Sequence, residues 1–220
     1  ISHSNLKYLI SFIKNYFKIN KNLVISNLNP LHFDNSVFDI YGSIFNNACL
    51  IPFYKKEIMY PKNIFTKIKK TKCDTWFSVP SLLNYILQIE NPKIFLNLKL
   101  KNIIFGGERF PISSVKKILK YLNKTKIFNV SGPTECTCIC SSHRVNKNEI
   151  LKSKNISIGK INNYFNYKII FKDKSEKKPN IGELFLEGPA VSEGYHNHKN
   201  NKKSKFYKIN NHFGYKTGDL

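Results

Sequence analysis

Residues 126–135 read KIFNVSGPTE. The apolar run at 126–130 has the length and composition of a buried strand. The Gly132-Pro133 pair behind it turns the backbone sharply. Thr134 and Glu135 then stand side by side, just past the strand's carboxyl end, which is where open α/β sheets bind ligands. A hydroxyl beside a carboxylate suits a phosphate and its Mg²⁺, a hard ion that takes oxygen ligands and usually only one or two protein carboxylates. A surface turn with a solvated Glu is the bland alternative, and the rest of the chain decides between the two.

Upstream of that turn, strands and helices alternate from about residue 20 to residue 130. Residues 102–105 are strand-like and lead into Gly106-Gly107-Glu108, and Pro111 opens a helix with Ile112, Val115, Leu119 and Leu122 on its core face. Residues 75–79 form another strand, with Pro80 as the first residue of the helix behind it. Strands are also expected at 48–53 and 23–26. A helix from Phe33-Asp34-Asn35-Ser36 to about Asn47 separates them, and Pro61 starts one with Ile64, Phe65 and Ile68 on one face. The first helix carries Leu6, Leu9, Ile10, Ile13, Tyr16 and Phe17 at helical spacing, with Ser4 as its expected cap. Such alternation means βαβ units, hence an α/β fold with a mostly parallel sheet and flanking helices.

After residue 140 the texture changes. Short strands are expected at 156–158, 167–171 and 182–187, joined by polar or Gly/Pro turns and by a charged loop at 172–180. This predicts a small antiparallel β unit packed beside the sheet. The expected organisation is an α/β subdomain over 1–150 and a β-rich subdomain over 151–220. The chain opens on Ile1 and stops at Leu220 within a motif, so it is read as an internal piece of a longer protein.

The formal charge of +22 invites a nucleic-acid reading. Arginine occurs only at Arg109 and Arg144, however, and Arg is the residue favoured for base readout and bidentate phosphate contacts. The lysines are spread along the whole chain with abundant Asn and Ile, and runs such as 67–72 and 199–205 read as solvated helix ends and loops. No nucleic-acid partner is expected, although a basic surface would steer an acidic protein toward it. There is no run of ~20 apolar residues, so no membrane span is expected, and the location is read as cytoplasmic.

The odd number of cysteines, five, argues against a disulfide framework. Cys136, Cys138 and Cys140 alternate, which would put all three on one face of a strand. Zinc ligation with His143 fits that spacing poorly, and buried packing is the preferred reading.

If the sheet is parallel, four stretches converge at its carboxyl edge: Gly107-Glu108, residues 129–135, Asp34 at a helix start, and residues 215–219. The Gly106-Gly107 pair lets a flat ring approach the backbone. Asp219, following a glycine, is the kind of carboxylate that holds ribose hydroxyls. A plain helix cap is the alternative role for Asp34.

In this order the motifs resemble those of the adenylate-forming ligases, and within them the amino-acid adenylation domains of nonribosomal peptide synthetases and the D-alanine–carrier-protein ligases. The resemblance covers essentially the whole chain. Residues 1–6 are similar to the segment just after the family's Ser/Thr/Gly-rich phosphate loop. FDNS at 33–36 resembles the substrate-pocket motif, and Gly106-Gly107-Glu108 with Pro111 the adenine-side motif. Residues 129–135 resemble N-x-YGPTE, 182–188 with 192–195 resemble GELxxxG…xxGY, and 215–220 resemble YRTGDL.

The resemblance implies ATP and Mg²⁺ as cofactors, with Glu135 holding the metal and Thr134 a phosphate oxygen. It places Gly107, Glu108, Asn129 and Ser131 around the adenine, and Asp219 on the ribose hydroxyls. Asp34 would accept the α-ammonium of an amino acid whose side chain lies among Asn35, Phe38, Phe77, Ile104, Gly106, Val130, Cys138 and Ile139. The two phenylalanines hint at a small or medium side chain. The implied reaction is formation of an aminoacyl-adenylate with release of pyrophosphate, then transfer to the phosphopantetheine thiol of a carrier protein. Ser131 stands where the family usually has Tyr, and Lys216 where it has Arg. The phosphate loop is expected before Ile1 and the mobile domain with its catalytic Lys after Leu220, so the fragment is not expected to turn over alone. An acyl- or aryl-CoA ligase, an inactive homologue and a non-enzymatic basic interaction module are the competing readings. Asp34 argues against the first, because a buried carboxylate without a cationic partner is costly.

Overall fold

The computed structural model describes residues 1–122, 124–171, 181–196 and 205–220. The loop expected at 172–180 and residues 199–204 of the lysine-rich run lie outside them. The first part of the chain runs α1 (His3–Phe17), β1 (Val24–Asn27), α2 (Asn35–Ile44), β2 (Cys49–Pro52), α3 (Lys55–Ile58), α4 (Pro61–Thr71) and β3 (Thr75–Ser78). It continues with α5 (Pro80–Ile89), β4 (Asn102–Gly106), α6 (Ile112–Leu119), β5 (Lys126–Ser131), β6 (Ser141–Arg144), α7 (Lys147–Lys152) and β7 (Lys160–Ile161). These strands form one sheet in the order β2-β1-β3-β4-β5-β6-β7. Pairing is parallel from β2 to β5 and antiparallel from β5 through β6 to β7. The mostly parallel α/β architecture read from the sequence is the one observed.

The sheet is buried on both faces, and the period of two along each strand shows why. Trp76, Ile103 and Ile127 pack with Ile64, Phe65 and Ile68 of α4, Leu83 and Ile86 of α5, and Val115 of α6. Their neighbours Phe77, Ile104 and Phe128 pack on the other side with Leu9, Ile13 and Phe17 of α1 and Phe38 of α2. Burying each such side chain contributes about 1.5–3 kcal/mol. Pro61 and Pro80 open their helices as expected.

The cap of α1 is Ser2 rather than Ser4. The Ser2 hydroxyl accepts from Asn5 N at 3.2 Å, while Asn5 Oδ1 accepts from Ser2 N at 2.8 Å. This reciprocal pair is a capping box with Asn in the third position. The Asn5 amide then donates to Pro189 O and Val191 O, at 2.7 and 3.1 Å.

The second unit is an antiparallel sheet of β8 (Asn166–Phe171), β9 (Gly182–Gly188), β10 (Phe206–Ile209) and β11 (His212–Lys216), in the order β10-β11-β9-β8. Phe165, Leu186, Val191 and Tyr215 form its core with Cys136 and Cys140. Among the described residues no helix is long and apolar enough to cross a membrane.

Two expectations fail locally. Residues 156–158 are not a strand, because the Ser157 carbonyl is taken by the Asn129 side chain at 2.8 Å instead of a ladder. Residues 136–140 are not a strand either, so the three thiols do not share a face. Thr134–Cys136 makes a 3₁₀ turn, and Thr137 and Cys138 both take left-handed backbone, with φ of 56° and 72°. The chain thereby folds back on Gly132, where a Cβ would lie 2.5 Å from Cys138 O and 2.6 Å from Cys140 N. Cys138 falls into the core beneath α1 and α2, while Cys136 and Cys140 join the second unit's core.

Candidate active site

Both sheets open onto one cleft of about 830 Å³ at the carboxyl edge of the large sheet. Of the nucleotide-side residues expected from the sequence, Gly107, Glu108, Asn129, Ser131, Glu135 and Asp219 all line it. Gly107 and Glu108 follow β4, residues 129–135 end β5, and Asp219 follows β11. The backbone of Asp219 is pinned to β9 through Leu184 N to Asp219 O at 2.9 Å. The Thr217 hydroxyl adds a 2.8 Å bond to Leu184 O. Gly107, Glu108 and residues 129–135 meet because parallel strands deliver their carboxyl ends to one edge, and the antiparallel sheet brings Asp219 over that edge.

Asp34 and Thr134 meet as well. The Thr134 hydroxyl donates to Asp34 Oδ2 at 2.7 Å, joining the loop after β1 to the turn after β5. Asp34 precedes α2 but makes no cap hydrogen bond, so its carboxylate does not serve as a helix cap. One residue on, Glu135 is half-buried. Burial raises its pKa, but hydrogen bonds from Tyr195, the local backbone and Tyr215, with the charge of Lys205, outweigh that and hold the carboxyl below its ordinary range.

The remaining expected positions lie beneath Asp34. Phe38, Phe77, Ile104, Val130, Cys138 and Ile139 are buried in one cluster, with the Phe38 and Phe77 rings edge-on at 4.8 Å. Asn35 faces Cys138, whose thiol lies 3.8 Å from its Oδ1. The two glycines divide their work. A Cβ on Gly106 would sit 2.3 Å from Val130 O, so its bareness serves the β4–β5 approach. Gly107 has a φ of +85° with no atom closer than 4.0 Å to an added Cβ. Glu108 also accepts from Ser81 N and Oγ, at 3.0 and 3.1 Å, satisfying an orphan amide of α5.

Sequence reasoning missed the wall of the cleft made by Asn155, Ile156 and Ile158. Asn129 pins this segment through Ser157, and Arg109 through Asn155. No local pattern announces it, since it is a loop defined only by what it leans on. Tyr215, also on the cleft, sat inside a motif but was given no role.

Among the described residues no cluster of three or more His, Cys, Asp or Glu could cage a metal. What the turn after β5 offers is one ionised carboxylate and one hydroxyl. That donor set fits Mg²⁺, which keeps most of its shell as water and substrate phosphate, and does not fit a soft or structural ion.

A nucleotide-sized cleft at the carboxyl edge of a doubly covered parallel sheet, rimmed by a Gly-Gly turn and three carboxylates, marks a nucleotide-binding α/β protein. The profile of AMP-binding enzymes matches residues 1–196, and the chain belongs to that family. It is 34% identical over 212 residues to bacitracin synthase 1 of Bacillus licheniformis, covering 94% of this chain and 4% of that protein. It is 30% identical over 220 residues to the D-alanine--D-alanyl carrier protein ligase of Bacillus licheniformis, covering 100% of this chain and 44% of the ligase. Among solved structures, the Vibrio cholerae adenylation domain AlmE, in complex with glycyl-adenosine-5'-phosphate, superposes with a TM-score of 0.82 at 25% identity, over 99% of this chain and 41% of that one. CmiS6 gives a TM-score of 0.89 at 20% identity over 99% of this chain and 54% of that one, a likeness of fold. The chain spans less than half the length of the curated relatives named here.

Proposed function

We propose that the chain supplies the adenine, ribose and amino-acid subsites of an ATP-dependent amino-acid adenylating ligase. The observation that carries this reading is the Thr134–Asp34 hydrogen bond, which sets a carboxylate fit for an ammonium beside the turn that lines the nucleotide cleft. In the proposed reaction the substrate carboxylate attacks the α-phosphorus of ATP and pyrophosphate leaves. No protein nucleophile is required, so catalysis rests on positioning and charge stabilisation. Glu135 would hold Mg²⁺, which neutralises developing phosphate charge when bound, and Thr134 a phosphate oxygen. Gly107, Glu108, Asn129 and Ser131 would flank the adenine and Asp219 the ribose. Asp34 would orient the amino acid by its ammonium.

The filled space beneath Asp34 supports a substrate with a small side chain. Phe38, Phe77 and Ile104 are each 0% exposed, and their rings and methyls leave little volume for a larger one. The second half-reaction, transfer to a carrier-protein thiol, is supported by the likeness to the D-alanine--D-alanyl carrier protein ligase. The five free thiols suit a reducing compartment such as the cytoplasm.

The test is amino-acid-dependent exchange of isotope between pyrophosphate and ATP, run on the full-length protein with all common amino acids and both alanine enantiomers. Exchange is expected with a small amino acid. Asp34→Ala should cut it by about 10²-fold or more, a loss of about 3–5 kcal/mol for an unpaired ammonium. Unchanged exchange in that variant removes the amino-acid reading, and exchange only with fatty or aryl acids replaces it by the CoA-ligase one.

A further inference from the structure

Glu135 is gripped from outside its own turn. The Tyr195 hydroxyl donates to Glu135 Oε1. Tyr215 lines the same cleft as Glu135, and its phenol helps hold that carboxyl below its ordinary range. The two phenols reach it from different places. Tyr215 lies on β11 and is 4% exposed. Tyr195 lies in the segment after β9, where Ser192 N donates to Glu135 O at 2.8 Å. Phe206 of β10 stands against both rings, 5.2 Å from Tyr195 and 4.8 Å from Tyr215. Phe206 thus packs against both rings, the buried one of Tyr215 and the half-exposed one of Tyr195.

The arrangement has a physical purpose. A Glu side chain on an open turn loses rotamer freedom when it is ordered. An ion that binds such a carboxylate must offset that loss unless the protein has already met it. Hydrogen bonds from hydroxyl to carboxylate are among the strong ones, and partners that orient a metal ligand typically govern affinity by 10–100-fold. We infer that Tyr195 and Tyr215 are positioning residues, which hold the Glu135 carboxylate in its ion-binding orientation before the ion arrives. The small antiparallel sheet thereby sets a ligand that belongs to the large one. This rests on Glu135 being the metal ligand, as proposed above.

The test uses the full-length protein with Mn²⁺ as probe and a non-hydrolysable ATP analogue, free Mn²⁺ being read by electron paramagnetic resonance. Tyr195→Phe and Tyr215→Phe keep the rings and remove the hydroxyls. Each should raise the Mn²⁺ dissociation constant about tenfold. In Tyr195→Phe the analogue's affinity in EDTA and the thermal midpoint should both stay at the wild-type value. Adding Tyr195→Phe to Glu135→Gln should cost little more than Glu135→Gln alone. If both Phe variants bind Mn²⁺ as wild type while Glu135→Gln weakens it, positioning is overturned and the metal assignment stands. An equal loss of metal-free nucleotide affinity also overturns it, since the tyrosines would then be merely structural. Wild-type Mn²⁺ affinity in Glu135→Gln removes the metal assignment and the inference with it.

Discussion

Two aspartates five residues apart show how much a single position can hide. Asp34 and Asp39 flank the same helical start, yet the first is half-exposed and hydrogen-bonded to Thr134, while the second is 0% exposed. Burial raises the Asp39 pKa well above its ordinary range, against hydrogen bonds from Asn29 and Asn27, and its Oδ1 has no partner among the described residues. Asp39 is thus a buried structural acceptor for the Asn27 and Asn29 amides. Asp39→Asn should leave stability within about 1 kcal/mol of wild type by urea denaturation, whereas Asp39→Ala takes one of two acceptors from each of the Asn27 and Asn29 amides and should cost about 2–3 kcal/mol. Glu135→Gln is expected to lower Mg²⁺-dependent turnover far more than the urea midpoint, and a variant that simply unfolds would make Glu135 structural. Asp34 was legible because its motif and helix-start position are local. Asp39 was not, because only the folded core distinguishes it from any other helical carboxylate.

Elements were legible where apolar runs are continuous. β3, β4 and β5 are buried along most of their length, and each carries adjacent large apolar residues (Trp76-Phe77, Ile103-Ile104-Phe105, Ile127-Phe128). β6 reads SSHR and β7 spans two residues, and neither carries an apolar period. β6 is held by its pairing with β5 and β7 by its pairing with β6, not by propensity. The β10–β11 hairpin had a signal that went unused: Asn210-Asn211 joins the strands, and Asn210 takes left-handed backbone at φ +50°. The Gly106-Gly107 pair was seen but its division of labour was not. Gly106→Ala should force β4 and β5 apart and cost about 1–3 kcal/mol by urea unfolding. Gly107→Ala has room for its methyl and should cost only the backbone term, about 1–2 kcal/mol.

Across the whole molecule, five thiols share a simple logic. Cys49 is exposed, and the other four are buried. Burial pushes Cys73 and Cys140 from an ordinary 9.0 up to about 12. Unfolded thiols release protons near pH 9 while these two retain theirs. Their contribution to stability is therefore complete below about pH 9 and is lost as pH climbs through 12. The thermal midpoint should fall over that window, and Cys73→Ala with Cys140→Ala should flatten the fall even though it lowers stability at pH 7. Iodoacetamide at pH 8 should modify one thiol rapidly, Cys49, by mass spectrometry. Whole-molecule features were the least legible, because the cleft exists only once segments 155–158 and 215–219 lean over the sheet edge.

The grip of Asn5 on Pro189 and Val191 has a mechanical result. The strap leaving β9 is moored at residue 191 by the first helix and at residue 192 by the Glu135 carbonyl. Only Glu193 and Gly194 remain as slack before Tyr195. Gly194 has φ +140° and open space around it, so it is the swivel of a very short lever. A turn about that residue would carry the phenol off its carboxylate, and a side chain there would strain the left-handed backbone while leaving both moorings intact.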